Sequence, residues 1–229
     1  MKKTKTELIV ALDVDTYIQA KKLIDKLYST VKIFKVGSQL FTGCGPKIIE
    51  YIKKKRADVF LDLKFHDIPN TVALAVSQAT RMKVFMLTVH AQGGIEMMKA
   101  ASDAATRTAK SLKLKKPLIV AVTVLTSMKF DNVFGRVMDL AFEANNAGID
   151  GVVSSVNEAR GIRDRFKDFV IVTPGIRPSG ADAGDQKRVA TPQAAMEAGS
   201  SFIVVGRPIV AAEDQLSAAR HILKEMESK

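Results

Sequence analysis

The sequence predicts a (β/α)8 barrel, a single domain over residues 1–229, and three observations carry that expectation. Short apolar runs alternate with longer amphipathic patterns from one end to the other, eight times over, as strand–helix units do. No Pro-, Gly- or Ser-rich linker breaks the alternation. The length of 229 residues is close to the ~250 usual for this architecture. A doubly wound open sheet would show the same succession of elements, because alternation alone does not establish closure.

In order, the first apolar run is Glu7–Asp13, and Thr16–Tyr28 has the amphipathic pattern of a helix. A second strand over Val31–Val36 precedes a helix over Pro46–Lys55, and Asp58–Lys64 is the third strand. Pro69-Asn70-Thr71 opens a helix reaching about Met82. The fourth unit pairs Val84–Val89 with a helix over Gly93–Lys110, and the fifth pairs Pro117–Val124 with Val133–Ala147. Asp150–Val153 and Asn157–Arg165 form the sixth unit. Phe169–Thr173 leads into a long polar loop and a helix over Pro192–Glu197. Ser201–Val205 is the eighth strand, and Glu213–Met226 the closing helix.

Composition narrows the function classes. Hydrophobic residues make up 47% and charged residues 26%, ordinary for a globular chain. No apolar run nears the ~20 residues that span a bilayer, and the basic start lacks the small-residue cleavage site of a secretory signal. The single cysteine, Cys44, excludes an intrachain disulfide and a thiolate metal cage, and suits a reducing cytoplasm. A formal charge of +11 raises the question of nucleic acid. The lysine clusters Lys53–Arg56 and Lys110–Lys116 sit at expected helix C-termini, where cations complement the helix dipole. With 6% aromatic residues and no tryptophan, no stacking platform is interleaved with them. The expectation is a solvated basic surface, neither a nucleic-acid nor a membrane partner, with some attraction for an anionic substrate.

One stretch departs from a bland core strand: Asp58-Val-Phe-Leu-Asp-Leu-Lys-Phe-His-Asp-Ile-Pro-Asn-Thr71. In a strand, alternate residues share a face, so Phe60, Asp62 and Lys64 point one way and Val59, Leu61 and Leu63 the other. Asp62 and Lys64 then lie about 6.6 Å apart along the strand. A structural ion pair would satisfy the cost of burying such charges, but their place at a strand end suits a reaction site, since barrel enzymes react at the C-terminal rim. The same parity puts Asp13 at the end of the first strand and Lys35 near the end of the second. Three strands thus bring Asp13, Lys35, Asp62 and Lys64 to one rim, with Asp67 just beyond. Alternating signs favour the ionised form of each.

At the other end of the chain, Val204-Val-Gly-Arg-Pro208 follows the eighth strand. Gly206 permits close backbone approach, and Arg207 is a planar cation suited to phosphate. Loops after strands seven and eight commonly hold phosphate in this fold, although a plain turn with a solvated arginine has the same sequence. Thr126-Ser127 after strand five suits either a polar heterocycle or a turn. His66, His90 and His221 lack metal-ligand spacing, and an ammonium beside Asp62 competes for the carboxylate a metal would need. No phosphate-binding Gly-rich fingerprint or nucleophile elbow is present.

These residues resemble orotidine 5′-phosphate decarboxylase in its bacterial monofunctional form. The resemblance runs along almost the whole chain, through Ala11-Leu-Asp13, Phe34-Lys-Val-Gly37, Asp62-Leu-Lys-Phe-His-Asp-Ile-Pro-Asn-Thr71, Val122-Thr-Val-Leu-Thr-Ser127, Thr173-Pro-Gly-Ile-Arg177, Ala183-Gly-Asp-Gln186 and Val205-Gly-Arg-Pro208. It implies cofactor-free conversion of orotidine 5′-phosphate to uridine 5′-phosphate (UMP) and CO2, the last step of pyrimidine nucleotide synthesis, in a cytoplasmic homodimer. It implies that Lys64, Asp62, Asp67 and Lys35 are catalytic, with Asp62 against the substrate carboxylate and Lys64 the proton donor. Asp13 and Lys35 would meet the ribose, Thr126 the pyrimidine, and Arg177, Gln186, Gly206 and Arg207 the phosphate. Asp67 and Thr71 would reach the neighbouring subunit's site, and the loop Ser179–Gln186 would close on phosphate. Two rivals remain. Mg-dependent 3-keto-L-gulonate 6-phosphate decarboxylase and hexulose phosphate synthase share an Asp-x-Lys-x-x-Asp element, but carry a glutamate ligand where this chain has Lys35. A non-enzymatic, basic nucleotide- or nucleic-acid-binding barrel would have no need of charges opposed to a substrate carboxylate.

Overall fold

Strand β1 (Glu7–Ala11) hydrogen-bonds on one side to β2 (Ile33–Gly37) and on the other to β8 (Phe202–Val205), both parallel to it. That second pairing closes the sheet and excludes the open doubly wound alternative. The computed structural model describes residues 6–125, 131–178 and 189–227. The remaining strands stand in chain order around the barrel: β3 (Asp58–Phe65), β4 (Met86–His90), β5 (Leu118–Val122), β6 (Gly151–Val153) and β7 (Val170–Thr173).

The helices follow their strands. α1 (Tyr17–Leu27) starts at Thr16, whose hydroxyl accepts the Gln19 N–H at 3.2 Å while the Gln19 side chain accepts the Thr16 N–H at 3.0 Å, a reciprocal cap. A short α2 (Ser38–Cys44) precedes α3 (Lys47–Lys54); the sequence pattern had suggested only the second. α4 (Pro69–Arg81) begins with proline at its first position, and α5 (Gly94–Leu112) follows a 3₁₀ turn over Ala91–Gly93. α6 (Val133–Asn146), α7 (Val156–Arg165) and α8 (Pro192–Glu197) come next. A one-turn α9 (Arg207–Val210) and α10 (Gln215–Glu227) end the chain. Among the described residues no helix is long and apolar enough to cross a membrane.

Side-chain alternation sorts the core into two layers. Ile9, Ala11, Ile33, Phe60, Met86, Val120, Val172, Phe202 and Val204 fill the barrel interior. Leu8, Val10, Leu12, Val59, Leu61 and Leu87 point outward into the layer beneath the helices. The inward parity expected for Phe60 is therefore the observed one, and Ile9 and Ala11 share it with Asp13 as Ile33 does with Lys35. Strand β6 lies so close to β7 that a Cβ on Gly151 would collide with the Val170 carbonyl.

Among the described residues four non-glycine residues have left-handed backbone, and all four are basic: Arg56, Lys64, Lys83 and Lys113. Three of them end α3, α4 and α5, the position where glycine is usual and where Gly148 and Gly199 end α6 and α8. The fourth, Lys64, is inside β3. There the ladder to β4 runs Phe60↔Met86 and Leu61↔Leu87, then resumes at Phe65↔Val89. Three residues of β3 face the single residue Thr88, and the regular alternation of the strand fails at that point.

Candidate active site

Each charged group at the C-terminal rim is placed by its strand. Asp13 stands just past β1, where Leu12 N–H bonds the Lys35 carbonyl at 3.0 Å and ties the first two strand ends together. Lys35 points inward from β2 and bridges two carboxylates, Asp13 Oδ1 at 3.2 Å and Asp62 Oδ2 at 3.6 Å. Lys64 Nζ lies 2.9 Å from the same Asp62 oxygen. The array runs Asp13–Lys35–Asp62–Lys64 across three strands. Its centre is more shielded than its ends: the Lys35 and Asp62 side chains are each 13% exposed, Lys64 is 40% and Asp13 is 53%.

Lys64 reaches this array by a route the sequence parity did not contain. A two-residue step along a regular strand would leave Asp62 and Lys64 about 6.6 Å apart at their backbones. Instead, Lys64 has φ 51°, its N–H donates to Thr88 Oγ1 at 2.8 Å, and its side chain folds back onto Asp62. Thr88 Oγ1 in turn donates to Asp62 Oδ1 at 3.1 Å.

The four charges form one side of a cavity of about 260 Å³ at the barrel mouth. Ala11, Phe60, Val122, Val172 and Val204 line it with apolar surface, and Ser154, Ser155, Gly175, Arg177, Gly206 and Arg207 line it from the ends of β6, β7 and β8. Arg177 sits on a short bridge to the residues before α8, its N–H bonded to the Ala190 carbonyl at 2.9 Å. Arg207 is the first residue of α9, so a cation and a helix start share that corner. Gly206 lies close to the charged array: a Cβ there would lie 3.0 Å from Asp13 Oδ2. The cavity thus combines alternating fixed charges from the ends of β1, β2 and β3, two arginines from the ends of β7 and β8, and apolar side chains. That is a receptacle for a molecule with an anionic tail and a polar, charged head.

The sequence profile of the Orotidine 5'-phosphate decarboxylase / HUMPS family matches residues 6–222. The chain belongs to this family.

Among relatives, the orotidine 5′-phosphate decarboxylase of Moorella thermoacetica is 47% identical over 234 residues, covering 97% of this chain and 93% of its own. That of Saccharophagus degradans is 46% identical over 230 residues, covering 96% and 94%. The crystal structure of orotidine 5′-phosphate decarboxylase from Lactobacillus acidophilus superposes with a TM-score of 0.85 at 37% identity, over 97% of this chain and 100% of that one. The rim of this decarboxylase/HUMPS-family barrel gathers Asp13, Lys35, Asp62, Lys64, Arg177, Gly206 and Arg207 around one cavity, and for the first four that is the shared rim the strand parity had suggested. Thr126 and Gln186, and the loop expected over Ser179–Gln186, lie outside the described residues.

Asp67 and Thr71 are not in that cavity. Asp67 is exposed and its Oδ1 accepts the Ile68 N–H at 2.7 Å; Thr71 is exposed on the first turn of α4. Sequence reasoning missed three contributors. Ser154 and Ser155 line the cavity from just past β6, and Ser155 Oγ donates to the buried Glu158 at 2.5 Å. Thr88 is fully buried beneath the charged array. The alternation Met86, Thr88, His90 was the signal for the last, since it turns a hydroxyl inward beside Asp62. His90, at the end of the same strand, titrates below the ordinary histidine value, chiefly because it is buried and then because His66 and Lys64 stand near it.

Proposed function

We propose that this chain decarboxylates orotidine 5′-phosphate to UMP and CO2 without a cofactor, the terminal step of de novo pyrimidine nucleotide synthesis. The observation that carries this reading is the pairing of Asp62 with Lys64 at 2.9 Å inside a cavity that Arg177 and Arg207 also line. The arginines and Gly206 bind the phosphate, and Asp13 and Lys35 meet the ribose hydroxyls. The pyrimidine carboxylate then comes to lie against Asp62.

The chemistry follows from fixed charge. Two carboxylates ~4 Å apart repel by about 4 kcal/mol at an effective dielectric of ~20. Enzymes lower barriers by roughly 8–23 kcal/mol, so this repulsion contributes without sufficing. The C6–carboxylate bond breaks, CO2 departs, and the electron pair stays on C6. The Lys64 ammonium stabilises that charge as it develops and then transfers a proton to C6, leaving a neutral amine that solvent reprotonates. Because the array is assembled before substrate arrives, little reorganisation is required at the moment of reaction.

Asp67 and Thr71 complete the site of a second copy of the chain, making the active unit a homodimer. In support, Ile68 and Leu74 are 65% and 62% exposed on the same segment, an apolar face beside an exposed carboxylate. Closure over Ser179–Gln186 and a pyrimidine contact from Thr126 belong to the same proposal. The single Cys44 agrees with a cytoplasmic enzyme.

The Mg-dependent sugar-phosphate lyase reading is less well supported, because Asp62 already faces two ammonium groups, those of Lys35 and Lys64. The deciding assay follows loss of orotate absorbance when orotidine 5′-phosphate is added, with and without EDTA. Turnover unaffected by EDTA is expected; a requirement for Mg²⁺ would favour the rival.

A further inference from the structure

We propose that Thr88 is a positioning residue for the decarboxylation, holding the proton donor and its partner carboxylate in register through one hydroxyl. The inference rests on the roles proposed above for Asp62 and Lys64. Thr88 is fully buried, does not line the cavity, and so acts beneath the site without touching substrate.

A threonine hydroxyl has one proton to give and lone pairs to accept with. Both capacities are engaged. The proton goes to Asp62 Oδ1 at 3.1 Å, and a lone pair takes the Lys64 N–H at 2.8 Å. The first bond fixes the rotation of the carboxylate. With Oδ1 held by Thr88, Oδ2 is the oxygen turned towards Lys64 at 2.9 Å and Lys35 at 3.6 Å. The second bond fixes the backbone from which Lys64 projects. That backbone is left-handed, with φ 51°, an arrangement that persists in a non-glycine residue only where its surroundings impose it. The β3–β4 ladder skips from Leu61↔Leu87 to Phe65↔Val89, so a side-chain oxygen of Thr88 serves the Lys64 N–H where the two strands are out of step. One hydroxyl therefore sets the orientation of the carboxylate and the direction of the ammonium. A side chain without it leaves both free to turn, and misplacement on the scale of an ångström lowers rates by about 100-fold.

Thr88→Val keeps the β-branched shape and removes the hydroxyl; Thr88→Ser keeps the hydroxyl and removes the methyl. Expected for Thr88→Val is a kcat about 10- to 100-fold below that of the parent enzyme, with KM for orotidine 5′-phosphate within about three-fold. Thr88→Ser should recover most of the loss. Thr88→Ala, with no added bulk against Asp62, gives the same reading should the valine variant misfold. In a Lys64→Ala background, Thr88→Val should cost less than it does in the parent enzyme, since only the Asp62 half of its role remains. Equal damage from serine and valine, or undiminished kcat in both the valine and alanine variants while Lys64→Ala is inactive, would overturn the positioning role and leave the reaction mechanism standing. High activity in Lys64→Ala would overturn the role of Lys64 and this inference with it.

Discussion

The imidazole rings of His66 and His90 stack with their centroids 5.1 Å apart and their planes 25° from parallel. His90 Nδ1 is buried with no hydrogen-bond partner among the described residues. Burial, then the neighbouring His66, then Lys64, lowers the titration of His90 from its ordinary value near 6.5. The folded protein therefore binds a proton at this position less readily than the unfolded chain does. Stability is fully present above the unfolded value and declines as pH falls through 6.5 towards the lower folded value. Urea denaturation at neutral pH and again about one to two units lower should show this loss, and His90→Phe, which retains a ring to stack on His66, should reduce it. An unchanged pH dependence in His90→Phe would assign the acid sensitivity elsewhere.

Lys64→Ala should lower turnover by roughly two to four orders of magnitude, the range associated with a positioned proton donor. Binding of UMP should survive, because Arg177, Gly206 and Arg207 line the cavity from the ends of β7 and β8 and not from β3, which carries Lys64. Steady-state assays paired with calorimetric titration separate the two. Near-normal turnover would remove Lys64 from its proposed role.

Asp67 lies outside the cavity of its own chain, which makes a mixing experiment informative. Lys64→Ala and Asp67→Ala proteins should each be nearly inactive. After subunit exchange, half the dimers are mixed and carry one native site, so about a quarter of parental activity should return, as two-fold symmetry requires. If exchange is verified and activity stays absent, the site is not shared between chains.

Gly151 offers a test of the scaffold without touching the chemistry. Its missing side chain lets β6 approach β7, and a Cβ would meet the Val170 carbonyl. Gly151→Ala should destabilise the fold by about 1–3 kcal/mol, the usual cost of overpacking. Thermal denaturation measures it. A neutral result would mean that the two strands can separate more easily than their register suggests.

Much of this architecture was legible because buried strands and amphipathic helices leave different periods in a sequence. Asp13, Lys35 and Asp62 fell on the inward parity of their strands and are found there. What was not legible had local causes. The segment Ser38–Cys44 is short and rich in small residues, without a clear apolar stripe, and folds as a helix where a connection was expected. Arg207–Val210 forms a helical turn beginning with a residue read as part of a loop. Lys64 arrived at the expected rim for another reason than parity, since the strand changes register between Leu61 and Phe65. Thr88 escaped notice because a threonine in a strand is ordinary, and only the juxtaposition of β3 and β4 shows what its hydroxyl holds.

The four left-handed basic residues have opposite prospects in protein engineering. At Arg56, Lys83 and Lys113 the conformation ends a helix, and glycine there would relieve the crowding that an L side chain suffers in that region, about 1–2 kcal/mol before the flexibility of glycine is counted. A design scheme that ranks substitutions by backbone torsion would select Lys64 on identical grounds. If the mechanism proposed above holds, accepting that fourth suggestion would yield a sturdier barrel with no proton donor. Thermostabilised variants of this chain would therefore have to be selected on turnover as well as melting temperature.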